Sequence, residues 1–161
     1  MSSSTKTNNL EPRVQINGNW FFQANPDFYD IDGALKELKC FLWQVKQYKS
    51  DIHQGDIAYL WKSGPNGGII AKTKVLDEPM DYPEDKAERK FYQEGNEPMN
   101  FRFGVHLQVE KVYGDPIITR QRMKADEVLR KSLIITRPSG TNFPIKPLEL
   151  LALQAVIGSK I

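Results

Sequence analysis

The side chains in this sequence best suited to acid–base or nucleophilic chemistry are two histidines and a single cysteine. His53 lies in a polar stretch and His106 on the polar side of an alternating strand, and no residue at a suitable spacing would orient either ring. General acid–base catalysis needs a positioned group with a matched pKa. Cys40 alone can form neither an intramolecular disulfide nor a cysteine-based zinc cluster. We therefore expect no catalytic residues, no metal and no cofactor, and interpret the chain as a non-enzymatic protein.

Two tryptophans are better placed for binding than for catalysis. Trp43 and Trp61 lie near the ends of predicted strands, beside polar or glycine-rich loops. An exposed aromatic face there can stack on a nucleic-acid base, a contact worth about 1 to 3 kcal/mol. Lys46 and Lys62 follow closely and could contact a phosphate backbone. The alternatives are that each tryptophan fills the core and that the lysines form a solvated rim.

The glycine-rich stretch over residues 64–68, GPNGG, resembles a phosphate-binding loop only in composition. A phosphate-binding loop opens a helix, whose first amides hold the anion. Residues 69–76 are strand-like instead, so the stretch predicts the turn of a β-hairpin between residues 57–61 and 69–76.

The order of the predicted elements indicates the architecture. A buried strand over residues 20–25 precedes a short helix capped by Asp30 or Asp32, and the cleanest alternation in the chain covers residues 101–109. A short helix is expected around residues 125–129. The last helix is expected to begin at Pro147 and end near Gly158. Strands outnumber helices and no βαβ unit repeats, so the sequence predicts an α+β fold, a small mixed β-barrel with short peripheral helices.

One face of that last helix is predicted to be buried, formed by Leu148, Leu151, Ala152 and Ala155. Residues 1–18 are expected to form a disordered tail and residues 19–161 a single domain. Residues 77–100 carry eight acidic and three basic side chains and are expected to form a solvated excursion with one helical turn, between two strands of a sheet.

Charge and hydropathy exclude few functions. The net charge is +2, but residues 101–161 carry ten basic and five acidic side chains, so a basic face is possible despite the balanced total. No stretch approaches the roughly 20 apolar residues of a spanning helix, and the first residues lack the apolar core of a secretion signal. We expect a soluble, cytoplasmic protein.

Four separated segments together resemble EVE domains. In chain order they are WFFQANP at residues 20–26, WQVKQY at 43–48, GDIAYLWKSG at 55–64 with GIIA at 68–71, and GTNFPI at 140–145. The resemblance covers nearly the whole folded chain and implies a PUA-like barrel related to YTH and ASCH domains. The chain departs from the pattern at Lys146, where a serine or threonine cap would be usual.

The resemblance also implies a pocket at one end of the barrel. Asn25, Trp43, Trp61, Ser63 and Gly64 would lie around it, with Trp43 matching the tryptophan that stacks a methylated base in YTH domains. The implied partner is DNA or RNA carrying a modified base, in the setting of a modification-dependent restriction system, and the oligomeric state stays open. Two other functions remain: an enzyme acting on a nucleotide or small ligand in the same pocket, and a protein-interaction adaptor that uses the acidic residues 77–100.

Overall fold

The computed structural model describes residues 18–96 and 101–160. Apart from Gly18, the expected tail therefore lies outside the described residues. The strands are β1 (Asn19–Ala24), β2 (Cys40–Gln44), β3 (Ile57–Lys62), β4 (Gly68–Val75), β5 (Met80–Pro83), β6 (Phe101–Val112), β7 (Ile118–Thr119) and β8 (Asn142–Pro144). The α-helices are α1 (Ile31–Glu37), α2 (Arg120–Lys124), α3 (Leu133–Thr136) and α4 (Pro147–Gly158), and 3-10 helices cover Lys86–Phe91 and Leu129–Lys131.

All eight strands belong to one curled, mixed sheet. The strand order is β2-β6-β4-β3-β1-β8, with β5 paired to β6 and β7 paired to β4. The pair β1 and β3 is parallel, whereas β3, β4 and β6 pair antiparallel in turn. The two ends of this order approach each other, because the Asn142 side chain accepts a hydrogen bond of 2.8 Å from the Lys46 N–H. The structure confirms the predicted α+β class and the small mixed barrel with short peripheral helices.

The sheet is buried on both faces, so its central strands are apolar almost throughout. In β3, Ala58 and Leu60 pack into a core inside the curled sheet, whereas Tyr59 and Trp61 pack into a second core beneath α2, α3 and α4. Strand β1 divides in the same way, with Phe22 in the first core and Phe21 in the second. Successive side chains of a strand point to opposite faces, and both faces here exclude water.

A buried carboxylate fixes the start of β1 against β3. Asp56 is 2% exposed and accepts hydrogen bonds from Trp20 Nε1 at 2.8 Å, Gly18 N at 2.8 Å and His53 N at 2.9 Å. A buried charge is tolerated when several donors satisfy it. The Gly55-Asp56 turn is thereby tied to both neighbouring segments.

Helix α1 begins where the sequence predicts. The Asp30 carboxylate accepts a hydrogen bond from Gly33 N at 3.0 Å, which identifies Asp30 rather than Asp32 as the N-cap. The helix buries Ile31, Ala34 and Leu35 against the first core.

The described part of residues 77–100 is mostly exposed, as expected for a solvated excursion, and the 3-10 helix Lys86–Phe91 matches the expected helical turn. The segment also contains a strand and two buried side chains, which the sequence did not predict. Met80–Pro83 pairs antiparallel with the first residues of β6, and the following 3-10 helix buries Glu88 and Phe91. Strand β5 is exposed and has no apolar alternation, so backbone hydrogen bonds rather than side-chain burial hold it in place.

The prediction of a short helix around residues 125–129 is corrected. Helix α2 ends at Lys124, and a separate 3-10 turn follows at Leu129–Lys131. The helix is interrupted because the Asp126 carboxylate accepts hydrogen bonds from the N–H groups of Val128 and Leu129, both at 2.9 Å. These bonds compete with continuation of the helix.

Helix α4 has the predicted bounds but buries a different face. Glu149, Leu153 and Val156 are buried, while Leu148 and Leu151 are 72% and 64% exposed. The Glu149 side chain turns inward and accepts a hydrogen bond from Lys146 N at 3.1 Å. That bond satisfies the N–H of the N-cap residue Lys146, whose own side chain makes no capping hydrogen bond. Leu153 and Val156, four and seven residues further along, lie on the same face of the helix and are buried with it. No helix in the described ranges is long and apolar enough to cross a membrane.

Candidate functional site

A cavity of about 490 Å³ opens at the end of the barrel where the parallel strands β1 and β3 terminate. Asn25 follows β1 and Ser63 follows β3, and the two segments stay together because Ser63 N donates to the Ala24 carbonyl at 2.9 Å. The end of β2, with Trp43 and Gln44, forms another part of the wall. The parallel pairing of β1 and β3 therefore brings two sequence segments to the opening, and the curling of the sheet brings the end of β2 beside them.

Aromatic side chains form much of the wall. Trp43 is 7% exposed and is braced by Phe22, whose ring lies nearly parallel at 6.5 Å between centroids, and by Phe41 at 5.7 Å. The Tyr29 ring meets Trp43 edge-on at 6.4 Å and Tyr92 at 4.6 Å. Because each ring is packed against others, the aromatic surface is preformed rather than assembled on binding.

The charges that line the cavity have one sign. Lys46, Arg102 and Arg120 are among its lining residues, and no aspartate or glutamate is, within the described part of the chain. The Arg102 guanidinium lies 4.8 Å from the Tyr92 ring centre, and that of Arg120 lies 5.9 Å from the Trp61 ring centre. A concave surface with three cations concentrates positive potential and favours an anionic ligand.

Two buried polar atoms of lining residues lack hydrogen-bond partners among the described residues. They are the Tyr29 hydroxyl and Arg120 Nε. Burial raises the pKa of Tyr29, with the nearby Glu88 carboxylate adding to the effect, so the hydroxyl keeps its proton. An unsatisfied buried donor is costly and calls for an explanation. Both atoms belong to residues that line the cavity, but each atom is itself enclosed by protein, so a ligand would reach it only after the side chain moves.

The structure brings four of the predicted site residues together. Asn25, Trp43, Ser63 and Lys46 all line the cavity. Asn25 also shapes its own turn, because its side-chain oxygen accepts a hydrogen bond from Asp27 N at 2.9 Å.

Three predicted site residues lie off the cavity wall. Lys62 forms an ion pair of 2.5 Å with Asp32 of α1. Gly64 lies on the exposed hairpin turn with a φ of 116°, a conformation that favours glycine. Neither is among the lining residues, and neither is Trp61.

The position of Trp61 corrects the expectation that it stacks on a base. Its side chain has no exposed surface and packs in the second core, edge-on to Phe21 at 5.9 Å. A ring without an accessible face cannot stack on a ligand. Trp61 instead lies under the Arg120 guanidinium, and the Gly67 carbonyl accepts the Arg120 N–H at 3.0 Å, so β3 and its hairpin position this arginine.

Sequence reasoning missed four residues of the site: Tyr29, Tyr92, Arg102 and Arg120. Tyr29 follows the Asn-Pro-Asp turn and could have been noticed as an aromatic beside a loop. Tyr92 lies in the segment interpreted as solvated, and it reaches the wall through a bridge between its backbone and that of Tyr29. No local pattern identifies the two arginines, because Arg102 lies on β6 and Arg120 begins α2, and only the tertiary fold brings both to the cavity.

The histidines do have oriented partners, which corrects the expectation that none exists. His53 Nδ1 lies 2.9 Å from a Glu78 oxygen, and this hydrogen bond raises the pKa of His53 and lowers that of Glu78. His106 Nδ1 lies 2.8 Å from Asp77. Neither histidine lines the cavity. In the described residues, no three His, Cys, Asp or Glu side chains are grouped so that they could hold a metal ion.

Several solved structures share this fold. A hypothetical protein from Leishmania major has a TM-score of 0.65 at 18% identity, covering 92% of this chain and 99% of its own. The human THYN1 protein, in complex with 5-methylcytosine containing DNA, has a TM-score of 0.60 at 15% identity, covering 88% and 98%. Protein PSPTO5229 from Pseudomonas syringae has a TM-score of 0.60 at 16% identity, covering 86% and 99%.

At these identities the likeness establishes the fold alone. No curated protein sequence matches this chain. The family model described as "EVE domain" matches residues 18–155, which confirms the resemblance seen in the four sequence segments and the PUA-like barrel that it implies. The chain belongs to the EVE domain family.

Proposed function

We propose that this chain is a non-catalytic module that binds DNA and takes one flipped, modified base into the cavity. The observation that carries the proposal is the cavity, which has a volume of about 490 Å³, aromatic walls and three basic but no acidic lining side chains within the described chain. Its volume falls within the roughly 300 to 1,000 Å³ usual for small-ligand sites. A base would fill its aromatic part, and the phosphates beside it would meet the cations.

The choice of DNA rests on a structural relative. Human THYN1 was solved in complex with 5-methylcytosine containing DNA. That complex makes 5-methylcytosine the first base to test here, with methylated RNA as the second. A partnership with a modification-dependent restriction system is a further part of the proposal and rests on the family resemblance alone.

In this proposal Trp43 and Tyr29 supply the faces and edges that contact the base. The Asn25 side chain and the Ser63 hydroxyl are the groups available to read its hydrogen-bonding edge. A movement of the Tyr29 side chain would add its buried, unpartnered hydroxyl to them. A site that hydrogen-bonds a base discriminates strongly, because a wrong base leaves buried polar groups unpaired.

The basic residues hold the backbone in this proposal. Lys46 is exposed at the rim and suits a phosphate contact that is not sequence-specific. Arg102 and Arg120 lie over aromatic rings, which restricts their guanidinium groups before the ligand arrives. Such preorganisation lowers the entropy lost on binding.

The test is binding of the purified protein to short oligonucleotides that differ by a single 5-methyl group on cytosine, at two salt concentrations. We expect tighter binding to the methylated strand by about tenfold, because a methyl group filling an apolar corner is worth about 1 to 3 kcal/mol. We also expect affinity for both strands to fall as salt increases.

Equal affinity for both strands at both salt concentrations would reject recognition of this modification. Absence of binding to DNA and RNA alike would reject the proposal as a whole. Mass spectrometry of the recovered oligonucleotide is expected to show no change in mass, because neither histidine lines the cavity. A new product would favour the enzyme alternative.

A further inference from the structure

Phe28 is an exposed aromatic side chain at the mouth of the cavity. Its side chain is 52% exposed, yet it is one of the lining residues. The next residue, Tyr29, is largely buried and forms part of the inner wall. Two successive residues therefore present one ring to solvent and one to the cavity.

The backbone that carries Phe28 is firmly held. The Asn25 carbonyl accepts hydrogen bonds from the N–H groups of Phe28 at 2.9 Å and Tyr29 at 3.1 Å, and the Asn25 side chain accepts one from Asp27 N at 2.9 Å. On the other side, the Phe28 carbonyl accepts the Gln93 N–H at 2.9 Å. The ring is thus projected from a turn that is bonded both to itself and to a separate segment.

The chemistry of this turn is apolar recognition rather than phosphate binding. Asp27 is exposed beside Phe28 and adds a negative charge, so attraction to a phosphate backbone comes from Lys46, Arg102 and Arg120. An exposed aromatic ring on a rigid support gains most by entering another apolar environment. Beside a site that removes a base from a duplex, that environment is the gap left in the base stack.

We propose that Phe28 inserts into the base stack of duplex DNA and occupies the space vacated by the base that enters the cavity. This inference rests on the proposed function and adds that the chain acts on duplexes and itself helps to extrude the base. Because Phe28 and Tyr29 are adjacent in one turn, insertion of the first ring and contact of the second with the flipped base occur together. Phe28 thereby positions the base without reading its identity.

The experiment compares Phe28→Ala and Phe28→Leu with the wild-type protein on three DNA substrates. All three carry one 5-methylcytosine: in a paired duplex, in the same duplex opposite an abasic site, and in the single strand. We expect Phe28→Ala to weaken binding to the paired duplex at least tenfold, to weaken binding to the single strand less than twofold, and to show an intermediate loss opposite the abasic site. Extrusion is easiest where the base has no pairing partner.

Two controls define the effect. Phe28→Leu keeps an apolar side chain and should retain more duplex affinity than Phe28→Ala. Phe101→Ala removes a ring that is 65% exposed but does not line the cavity, and should leave binding to all three substrates unchanged. Fluorescence of 2-aminopurine placed next to the modified base should rise with wild type and less with Phe28→Ala.

Three results would overturn the inference. In the first, Phe28→Ala loses the same affinity for the duplex and the single strand, which would make Phe28 an ordinary wall residue. In the second, Phe28→Ala loses no affinity for the duplex. In the third, the wild-type protein binds the modified single strand but not the duplex. All three leave the proposed function in place. A wild-type protein that binds none of the three substrates would instead reject 5-methylcytosine DNA as the partner in the proposed function.

Discussion

Gln47 and Asn142 join the two ends of the curled sheet by reciprocal hydrogen bonds from backbone to side chain. The Gln47 side-chain oxygen accepts from Thr141 N at 2.8 Å and from Asn142 N at 3.0 Å. The Asn142 side-chain oxygen accepts from Lys46 N at 2.8 Å and from Gln47 N at 3.3 Å. Strands β2 and β8 lie at opposite ends of the strand order, so these two amides replace a strand ladder beside the cavity.

Loss of this pair should destabilise the protein. Asn142 is 1% exposed, and Asn142→Ala would leave the Lys46 and Gln47 N–H groups without acceptors. A typical intramolecular hydrogen bond contributes about 0.5 to 1.5 kcal/mol, and both lost bonds are only partly buried, so we expect the free energy of unfolding in urea to fall by about 1 to 3 kcal/mol. The matched control is Gln108→Ala, which removes one exposed hydrogen bond to the Lys39 carbonyl. Equal stability of the two variants would contradict the prediction.

Tyr29→Phe should weaken binding without lowering stability. The Tyr29 hydroxyl is buried without a partner in the described chain, so its removal should leave the free energy of unfolding unchanged or raise it by up to about 1 kcal/mol. If the hydroxyl donates to the bound base, the same change should weaken binding of the methylated oligonucleotide about fivefold to tenfold. Thermal unfolding and a binding titration on one sample measure both effects. Unchanged affinity would remove Tyr29 from the hydrogen-bonding role.

The central strands and the hairpin could be predicted because each carries its own local signal. Turn chemistry over residues 62–68 and dense apolar runs on both sides suffice to place β3 and β4. Strand β5 carries no such signal, since its four residues are mostly exposed and its pairing depends on β6, whose first residues lie about 20 positions further along the chain. Long-range backbone pairing of this kind leaves no trace in the local pattern.

The site residues that could be predicted are those at or close to the ends of strands, namely Asn25, Trp43, Lys46 and Ser63. Trp43 and Trp61 have similar surroundings in the sequence, but β3 is apolar on both faces, so alternation cannot decide which core receives Trp61. The pairing of β3 with β4 also shifts register between Leu60 and Trp61. The local sequence therefore indicates aromatic rings near the site without distinguishing the wall from the core.

Lys46 and Lys62 should differ in their effect on DNA binding. Lys46 lies at the cavity rim, whereas the Lys62 ammonium is paired with Asp32 at 2.5 Å. We expect Lys46→Glu to weaken binding of methylated and unmethylated DNA by similar factors, because phosphate contacts position the strand without reading it. The salt slope, the change of log Kd with log salt, should fall by about 1 for a lost phosphate contact.

The matched control for that experiment is Lys62→Glu, which makes the same charge change at a residue already engaged by a carboxylate. It should weaken binding less than Lys46→Glu and leave the salt slope nearer to that of wild type. Identical slopes for wild type and Lys46→Glu would show that Lys46 contacts no phosphate.

Glu88 should make stability depend on pH near neutrality. Its side chain is 5% exposed, and burial raises its pKa to about 7, although a hydrogen bond from Leu42 N at 2.9 Å and the charge of Arg102 act in the opposite direction. An unfolded glutamate titrates near 4.3. Between these values the folded state holds the proton more tightly than the unfolded chain, so the free energy of unfolding falls as pH rises. The total loss should be on the order of 4 kcal/mol, at about 1.4 kcal/mol per unit of pKa difference.

Glu88→Gln should remove this dependence, because glutamine stays neutral while its carbonyl oxygen can still accept the Leu42 N–H. The difference in unfolding free energy between variant and wild type should be small near pH 4.5, grow in favour of the variant up to about pH 7, and then level off. Chemical denaturation at four pH values measures it, and other titrating groups cancel in the difference. Glu127→Gln removes an exposed carboxylate and should follow wild type in parallel. A Glu88→Gln curve parallel to wild type would mean that the buried carboxylate ionises without penalty, and that Leu42 N–H and Arg102 offset its desolvation completely.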